Sequence, residues 1–291
     1  MLTAVTVAAL LTSCSSSTPR SQEPERIGGS DAVVHERGVV YATRGDEQLR
    51  LDACLPREAT GPLPSLVILH GGGFNSGDRT ESGSAGLCDS AARTGVVAVS
   101  IDYRLAPAST YPAQVQDVQS AVEWLRQPAQ VQKYSLDPTR IALLGSSAGA
   151  ILALTAATAG EGRDDTGTRV KAVVSLSGVA DLRDSALALG DPSPQAVQLV
   201  LTYLGCTSAT DCPQAAEASP ITHVDPSDPP VLLVNGTDEL VPRQQAEAMA
   251  AALQEAGVVH REVFVDGDAH GSALLHNDVR RDVSTFLQEN L

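Results

Sequence analysis

Ser147 has the surroundings a nucleophilic serine needs. It sits in Gly145-Ser146-Ser147-Ala148-Gly149, a G-x-S-x-G pattern. A serine hydroxyl attacks a carbonyl only when a base takes its proton and the oxygen stands clear of the backbone. Small residues two before and two after the serine allow the tight strand-to-helix turn that lifts it clear. With 24 glycines in the chain the pattern alone is weak. Its setting carries the weight: Arg-Ile-Ala-Leu-Leu before it reads as a strand, and the Ala-rich run after it as a helix. That register selects Ser147 over Ser146. A second pattern, His70-Gly71-Gly72-Gly73-Phe74, closes another apolar run. Glycines there leave backbone N–H groups unobstructed. Those of Gly71 and Gly72, with that of Ala148, can bind the negative oxygen that develops on an acyl carbon. A phosphate cradle would instead end in G-K-[S/T], and this loop does not.

The elements that must hold these residues follow from periodicity. Residues 39–43 and 48–55 read as a leading hairpin around Arg44-Gly45-Asp46. Residues 65–70, 96–102, 140–144, 170–176, 231–234 and 261–265 read as buried strands. Between them lie helical patterns at 113–126, 147–159, 243–256 and 276–287. Strands apolar on both faces, alternating with helices, imply an α/β fold with a mostly parallel central sheet covered on both sides. Residues 181–220 interrupt the rhythm, with Pro192, Pro194 and a helical stretch at 195–203; this insertion is either a small lid or a decorated loop.

The combination of His70-Gly71-Gly72-Gly73-Phe74, Asp102-Tyr103-Arg104-Leu105-Ala106-Pro107 and G-x-S-x-G resembles the HGGG branch of the α/β-hydrolases. That branch includes the hormone-sensitive-lipase-like esterases and the bacterial carboxylesterase and feruloyl-esterase-like group. The resemblance runs from about Leu49 to the C-terminus. It implies a triad in the order Ser, acid, His, a serine esterase acting on short acyl esters through an acyl-enzyme, and no cofactor. The histidine is then His270, in Gly267-Asp268-Ala269-His270-Gly271 after the last strand. The acid lies in Gly236-Thr237-Asp238-Glu239-Leu240-Val241-Pro242, one residue shorter than the family's G-T-x-D-x-x-V-P. Counting back from Val241-Pro242 gives Asp238; counting forward from Gly236-Thr237 gives Glu239. Asp238 is the expectation. His276 competes with His270 but opens a helical stretch. His70 is expected to anchor the oxyanion loop, and residues 102–107 to be scaffold. Ser146 and Ala150 stand where the family often has Asp and Gly. Two other readings of the same features are a serine peptidase or amide hydrolase, and a non-catalytic surface-binding lipoprotein.

The N-terminus adds a destination. Residues 2–11 are mostly apolar, uncharged and too short to span a bilayer. They meet Leu11-Thr12-Ser13-Cys14, which resembles a bacterial lipobox, and a Ser-rich stretch follows. No Lys or Arg precedes the apolar run. The expected organisation is a signal peptide at 1–13, a tether at 14–35 lipidated on Cys14, and a catalytic domain at 36–291 held at the membrane through the lipid. Setting Cys14 aside leaves Cys54, Cys88, Cys206 and Cys212, an even number suited to an oxidising compartment. Three pairings are open; Cys206–Cys212 is the easiest to close, with Cys54–Cys88 as its complement. No Cys/His spacing suggests a metal. The formal net charge of −15 argues against nucleic acid and against electrostatic docking on anionic lipid, and the family resemblance implies a small-molecule ester as the partner.

Overall fold

A computed structural model describes residues 1, 26–27, 32–58, 61–160 and 162–291. The expected signal peptide cleavage region, Cys14 and most of the tether lie outside these residues. The strands are β1 (Arg26–Ile27), β2 (Val33–Arg44), β3 (Glu47–Pro56), β4 (Leu63–Leu69), β5 (Val97–Ile101), β6 (Leu136–Ser146), β7 (Ala172–Leu176), β8 (Val231–Gly236) and β9 (His260–Val265). The helices are α1 (Ser82–Arg93), α2 (Ala113–Arg126), α3 (Pro128–Tyr134), α4 (Ala148–Thr158), α5 (Asp184–Leu187), α6 (Pro194–Leu204), α7 (Gln244–Ala256) and α8 (Asn277–Asn290).

The strands form a single sheet in the order β1-β2-β3-β5-β4-β6-β7-β8-β9. The pairs from β1 to β5 are antiparallel, including β3 with β5, and the rest are parallel. The leading hairpin is longer than its sequence suggested, and it turns at Gly45-Asp46 between Arg44 and Glu47. The parallel strands are buried on both faces. Along β4, Val67 and Leu69 pack with Val118, Leu125, Ile151 and Leu152 on one side. Leu66 and Ile68 pack with Leu87, Val283 and Phe286 on the other. This is the alternation a doubly covered sheet requires, and each such side chain contributes about 1.5–3 kcal/mol.

Helix α1 is absent from the sequence reading. α1 forms from Ser-Gly-Ser-Ala-Gly-Leu-Cys-Asp-Ser-Ala-Ala-Arg, a poor helix former. Its buried Leu87, Cys88 and Ala92 hold it on the sheet, and Cys88 is bonded to Cys54 of β3. The other bridge is Cys206–Cys212. α4, by contrast, is buried along its whole length from Ala148 to Thr158. A helix surrounded by protein needs small or apolar residues all round, which explains its Ala-rich composition.

The sheet order positions the site. β5 and β6 flank β4 on opposite sides, so the crossover direction changes at β4, where α/β sheets open a crevice beyond the strand ends. β4 and β6 pair in parallel with Leu69 opposite Gly145. The glycine loop after β4 and the serine turn after β6 therefore emerge side by side.

Candidate active site

Ser147 joins β6 to α4 with φ 54° and ψ −117°. A serine is held in that left-handed conformation only when its surroundings over-determine it. Its N–H donates to Leu176 O at 2.7 Å. A Cβ placed on Gly145 would lie 2.1 Å from Gly149 O, and one on Gly149 would lie 2.4 Å from His70 O. The two glycines are thus required by close approach of strand, helix and neighbouring loop. The first turn of α4 leaves the Ala148 N–H without an intrahelical acceptor.

The loop after β4 lies against this turn. A Cβ on Gly71 would be 3.5 Å from Ser147 Cβ. Gly72 turns with φ +105°, and its carbonyl accepts from the Asn75 and Ser76 N–H groups at 3.2 and 3.1 Å. His70 anchors the loop, as expected. Its ring stacks on Tyr103 at 4.2 Å, and its Nδ1–H donates to Gly71 O at 2.7 Å. Burial pushes the His70 imidazole below its usual range, which keeps the ring neutral. The Tyr103 hydroxyl donates to His70 O at 2.9 Å. Asp102 accepts from Arg79 Nη1 at 2.7 Å, and Arg104 Nε donates to Asp117 at 2.8 Å. Residues 102–104 therefore brace the glycine loop from behind, the scaffold role read for them.

The acid departs from expectation. Asp238 is exposed; its Oδ2 accepts from the Thr237 hydroxyl at 3.1 Å. Its N–H donates to Gly267 O at 3.0 Å, extending the β8–β9 pairing and leaving the side chain outside the site. Glu239 takes the place assigned to Asp238. Its side chain is fully buried, and Oε2 accepts a short hydrogen bond from His270 Nδ1. Oε1 accepts from Gly236 N–H and from the Ser177 hydroxyl, both at 2.8 Å. Because a carboxylate only accepts, the imidazole proton belongs on Nδ1, and Nε2 is free to accept from a serine. The shorter loop thus follows the forward count from Gly236-Thr237, and the longer Glu side chain spans to the histidine.

His270 follows β9, as expected, and its loop is fastened to the serine turn. The Ser272 N–H donates to Ser146 Oγ at 2.9 Å, and the Gly271 N–H to Ser177 Oγ at 2.7 Å. A Cβ on Gly271 would lie 3.8 Å from the Ser147 nitrogen, which places the histidine loop directly over the nucleophile turn. Ser177 was not anticipated; no motif in Leu176-Ser177-Gly178 marks it. His276 stands at the residue before α8, away from the triad, and its side chain makes no capping hydrogen bond there.

The insertion at 181–220 folds into α5, α6 and short 3-10 turns. Pro194 opens α6 under a Ser193 cap, and Gly205 closes it at φ 71°, where a glycine avoids the strain of a left-handed backbone. Tyr203 stacks on Phe74 at 3.9 Å, and a Cβ on Gly73 would meet Leu199 at 2.8 Å. The helix therefore rests on the glycine loop. A cleft of about 30 Å³, lined by Val197, Val200, Leu240 and Val241 among others, lies beside it. A cavity of about 510 Å³ lies between α1 and α8 on the other side of the sheet, and no site residue lines it. The His35, Cys54 and Asp89 cluster offers no thiolate, since Cys54 is bonded to Cys88; His35 Nε2 instead meets Asp89 Oδ1 at 2.6 Å. Among the described residues no helix is long and apolar enough to cross a membrane.

Comparison with known proteins agrees with this architecture. The family model described as BD-FAE matches residues 51–253. Esterase LipC of Mycobacterium tuberculosis is 32% identical over 286 residues, covering 88% of this chain and 68% of that protein. LipM of the same organism, described as a probable carboxylic ester hydrolase, is 32% identical over 206 residues. That alignment covers 68% of this chain and 46% of LipM, so the chain spans about half that relative. A truncated carbohydrate esterase from gut microbiota superposes with a TM-score of 0.76, covering 90% of this chain and 98% of its own, at 24% identity. An esterase from Pyrobaculum calidifontis superposes at 0.70 with 27% identity, covering 88% and 83%. The matched residues enclose the glycine loop, the serine turn and the acid loop, and the chain belongs to the BD-FAE family within the HGGG branch of the α/β-hydrolases.

Proposed function

We propose that this chain is a carboxylic ester hydrolase working through Ser147, His270 and Glu239. The observation that carries the reading is the Glu239–His270 pair, with the proton on Nδ1, on a loop fastened over the strained serine turn. His270 Nε2 removes the Ser147 proton as the oxygen attacks the ester carbonyl. The N–H groups of Gly71, Gly72 and Ala148 bind the oxyanion. Glu239 fixes the tautomer and stabilises the imidazolium. His270 then returns the proton to the leaving alcohol, and water hydrolyses the acyl-enzyme in the same way.

The substrate is a short acyl ester. α6 lying on the glycine loop, with Leu199 against Gly73, supports a restricted acyl site. A chain-length panel of p-nitrophenyl esters, with matched amides and peptides, tests this on the purified protein. Turnover should fall from acetyl and butyryl esters to long chains. Ser147→Ala should abolish turnover and labelling by a serine-reactive phosphonate. Faster amide or peptide cleavage would reassign the activity, and labelling of Ser147→Ala would reject the nucleophile. We also assign the N-terminus to export, with lipidation of Cys14 holding the enzyme at the outer face of a membrane; the lipobox-like Leu11-Thr12-Ser13-Cys14 supports this.

A further inference from the structure

We propose that Ser177 is the positioning residue that sets the acid and the base of this site relative to each other. The inference rests on the catalytic reading of Glu239 and His270. Ser177 follows β7 directly, is fully buried, and has φ 60°. Its N–H donates to Val234 O at 2.8 Å, which ties the turn to the adjacent strand β8. Its hydroxyl then bridges two loops that arise from different strands.

The directions of those bonds are forced. Glu239 Oε1 can only accept, so the hydroxyl proton goes there, at 2.8 Å. The Gly271 N–H can only donate, so the hydroxyl oxygen receives it, at 2.7 Å. One side chain thus spends its proton on the acid and its lone pair on the residue next to His270. The effect on Glu239 is orientational. Ser177 and Gly236 N–H together occupy Oε1, leaving Oε2 for His270 Nδ1. The effect on His270 is a clamp. The two amides after it are held by Ser177 and by Ser146, the residue before the nucleophile. The three arms of the site are therefore registered by two hydroxyls, and of these two it is that of Ser177 that bonds both the acid and the histidine loop. Geometry held to a fraction of an ångström is what such chemistry demands, and about 1 Å of misplacement can cost about a hundredfold.

Ser177→Ala and Ser177→Gly test this together. Both remove the hydroxyl, and Gly also relieves the left-handed backbone, which separates lost hydrogen bonds from backbone strain. The readouts are kcat and KM on a short acyl ester, the melting temperature, the extent of phosphonate labelling, and the downfield proton NMR signal of the His270 Nδ1–H. Both variants should lose about 10- to 100-fold in kcat, with KM within about twofold. The downfield signal should broaden or shift, while labelling of Ser147 still runs to completion, more slowly. A folded variant with wild-type kcat and an unchanged downfield signal would overturn the proposal. Full recovery of kcat in Ser177→Gly would also overturn it, by assigning the loss in Ser177→Ala to strain. The catalytic reading fails separately, if the wild-type protein neither turns over esters nor takes the phosphonate; the downfield signal reports Ser177 in either case.

Discussion

Replacing Glu239 by Gln places an amide where both carboxylate oxygens are used as acceptors. With its oxygen toward His270, the amide nitrogen faces the Gly236 N–H, an opposed pair of donors where a 2.8 Å bond had been. That leaves buried groups unsatisfied, at about 1–3 kcal/mol. With the amide reversed, the nitrogen faces His270 Nδ1, which must then accept. The imidazole proton moves to Nε2, where the acceptor for the Ser147 proton is needed. A wrong tautomer of this kind costs about ten-thousand-fold in kcat in the serine proteases, or about 5 kcal/mol of transition-state stabilisation. Glu239→Gln should therefore lose about a thousand- to ten-thousand-fold in kcat with KM little changed. Asp238→Asn should stay within about threefold, since an exposed side chain bonded only to Thr237 has no route to the histidine. Steady-state kinetics on an acetyl or butyryl ester, with circular dichroism to confirm folding, measures both. A large loss in Asp238→Asn alongside an active Glu239→Gln would refute the assignment and restore the acid first read from Val241-Pro242.

Three further expectations rest on other parts of the chain. The Tyr203 hydroxyl is buried without a hydrogen-bond partner while its ring stacks on Phe74, so Tyr203→Phe should stabilise the protein by about 1 kcal/mol, read as a higher denaturant midpoint at constant slope. His70 is held below its usual value by burial, so the unfolded chain binds its proton first as pH falls; its stabilising contribution is full above about pH 6.5 and is lost as pH drops through the depressed folded value. His70→Asn should accordingly flatten the fall in melting temperature between pH 7.5 and 5, and an unchanged slope would contradict this. In its native host Cys14→Ser should leave the membrane fraction with its specific activity intact, and mass spectrometry of the unmutated protein should find a lipidated N-terminal Cys14; an unmodified cysteine on a freely secreted protein would reject the anchor.

What the sequence alone determined is local. The serine turn was legible because only small residues fit where Gly145 and Gly149 pack against each other and against His70, and that requirement is written in five consecutive positions. The buried strands and α2, α4 and α7 were legible because doubly covered strands and amphipathic or fully buried helices carry their burial in their periodicity. α1 was not, since its Gly- and Ser-rich run favours a helix only once Leu87, Cys88 and the Cys54 bridge hold it on the sheet. The cysteine pairing was likewise open until strand β3 and helix α1 were brought together. The acid was undecidable by counting, because Asp238 and Glu239 are adjacent and both carry carboxylates. The choice depends on which side chain the pairing of β8 with β9 leaves facing inward, and on the reach of one extra methylene. Ser177 had no signature at all: its hydroxyl matters only because β7 ends between Gly236 and Gly271, residues distant in sequence that meet only when the sheet is assembled.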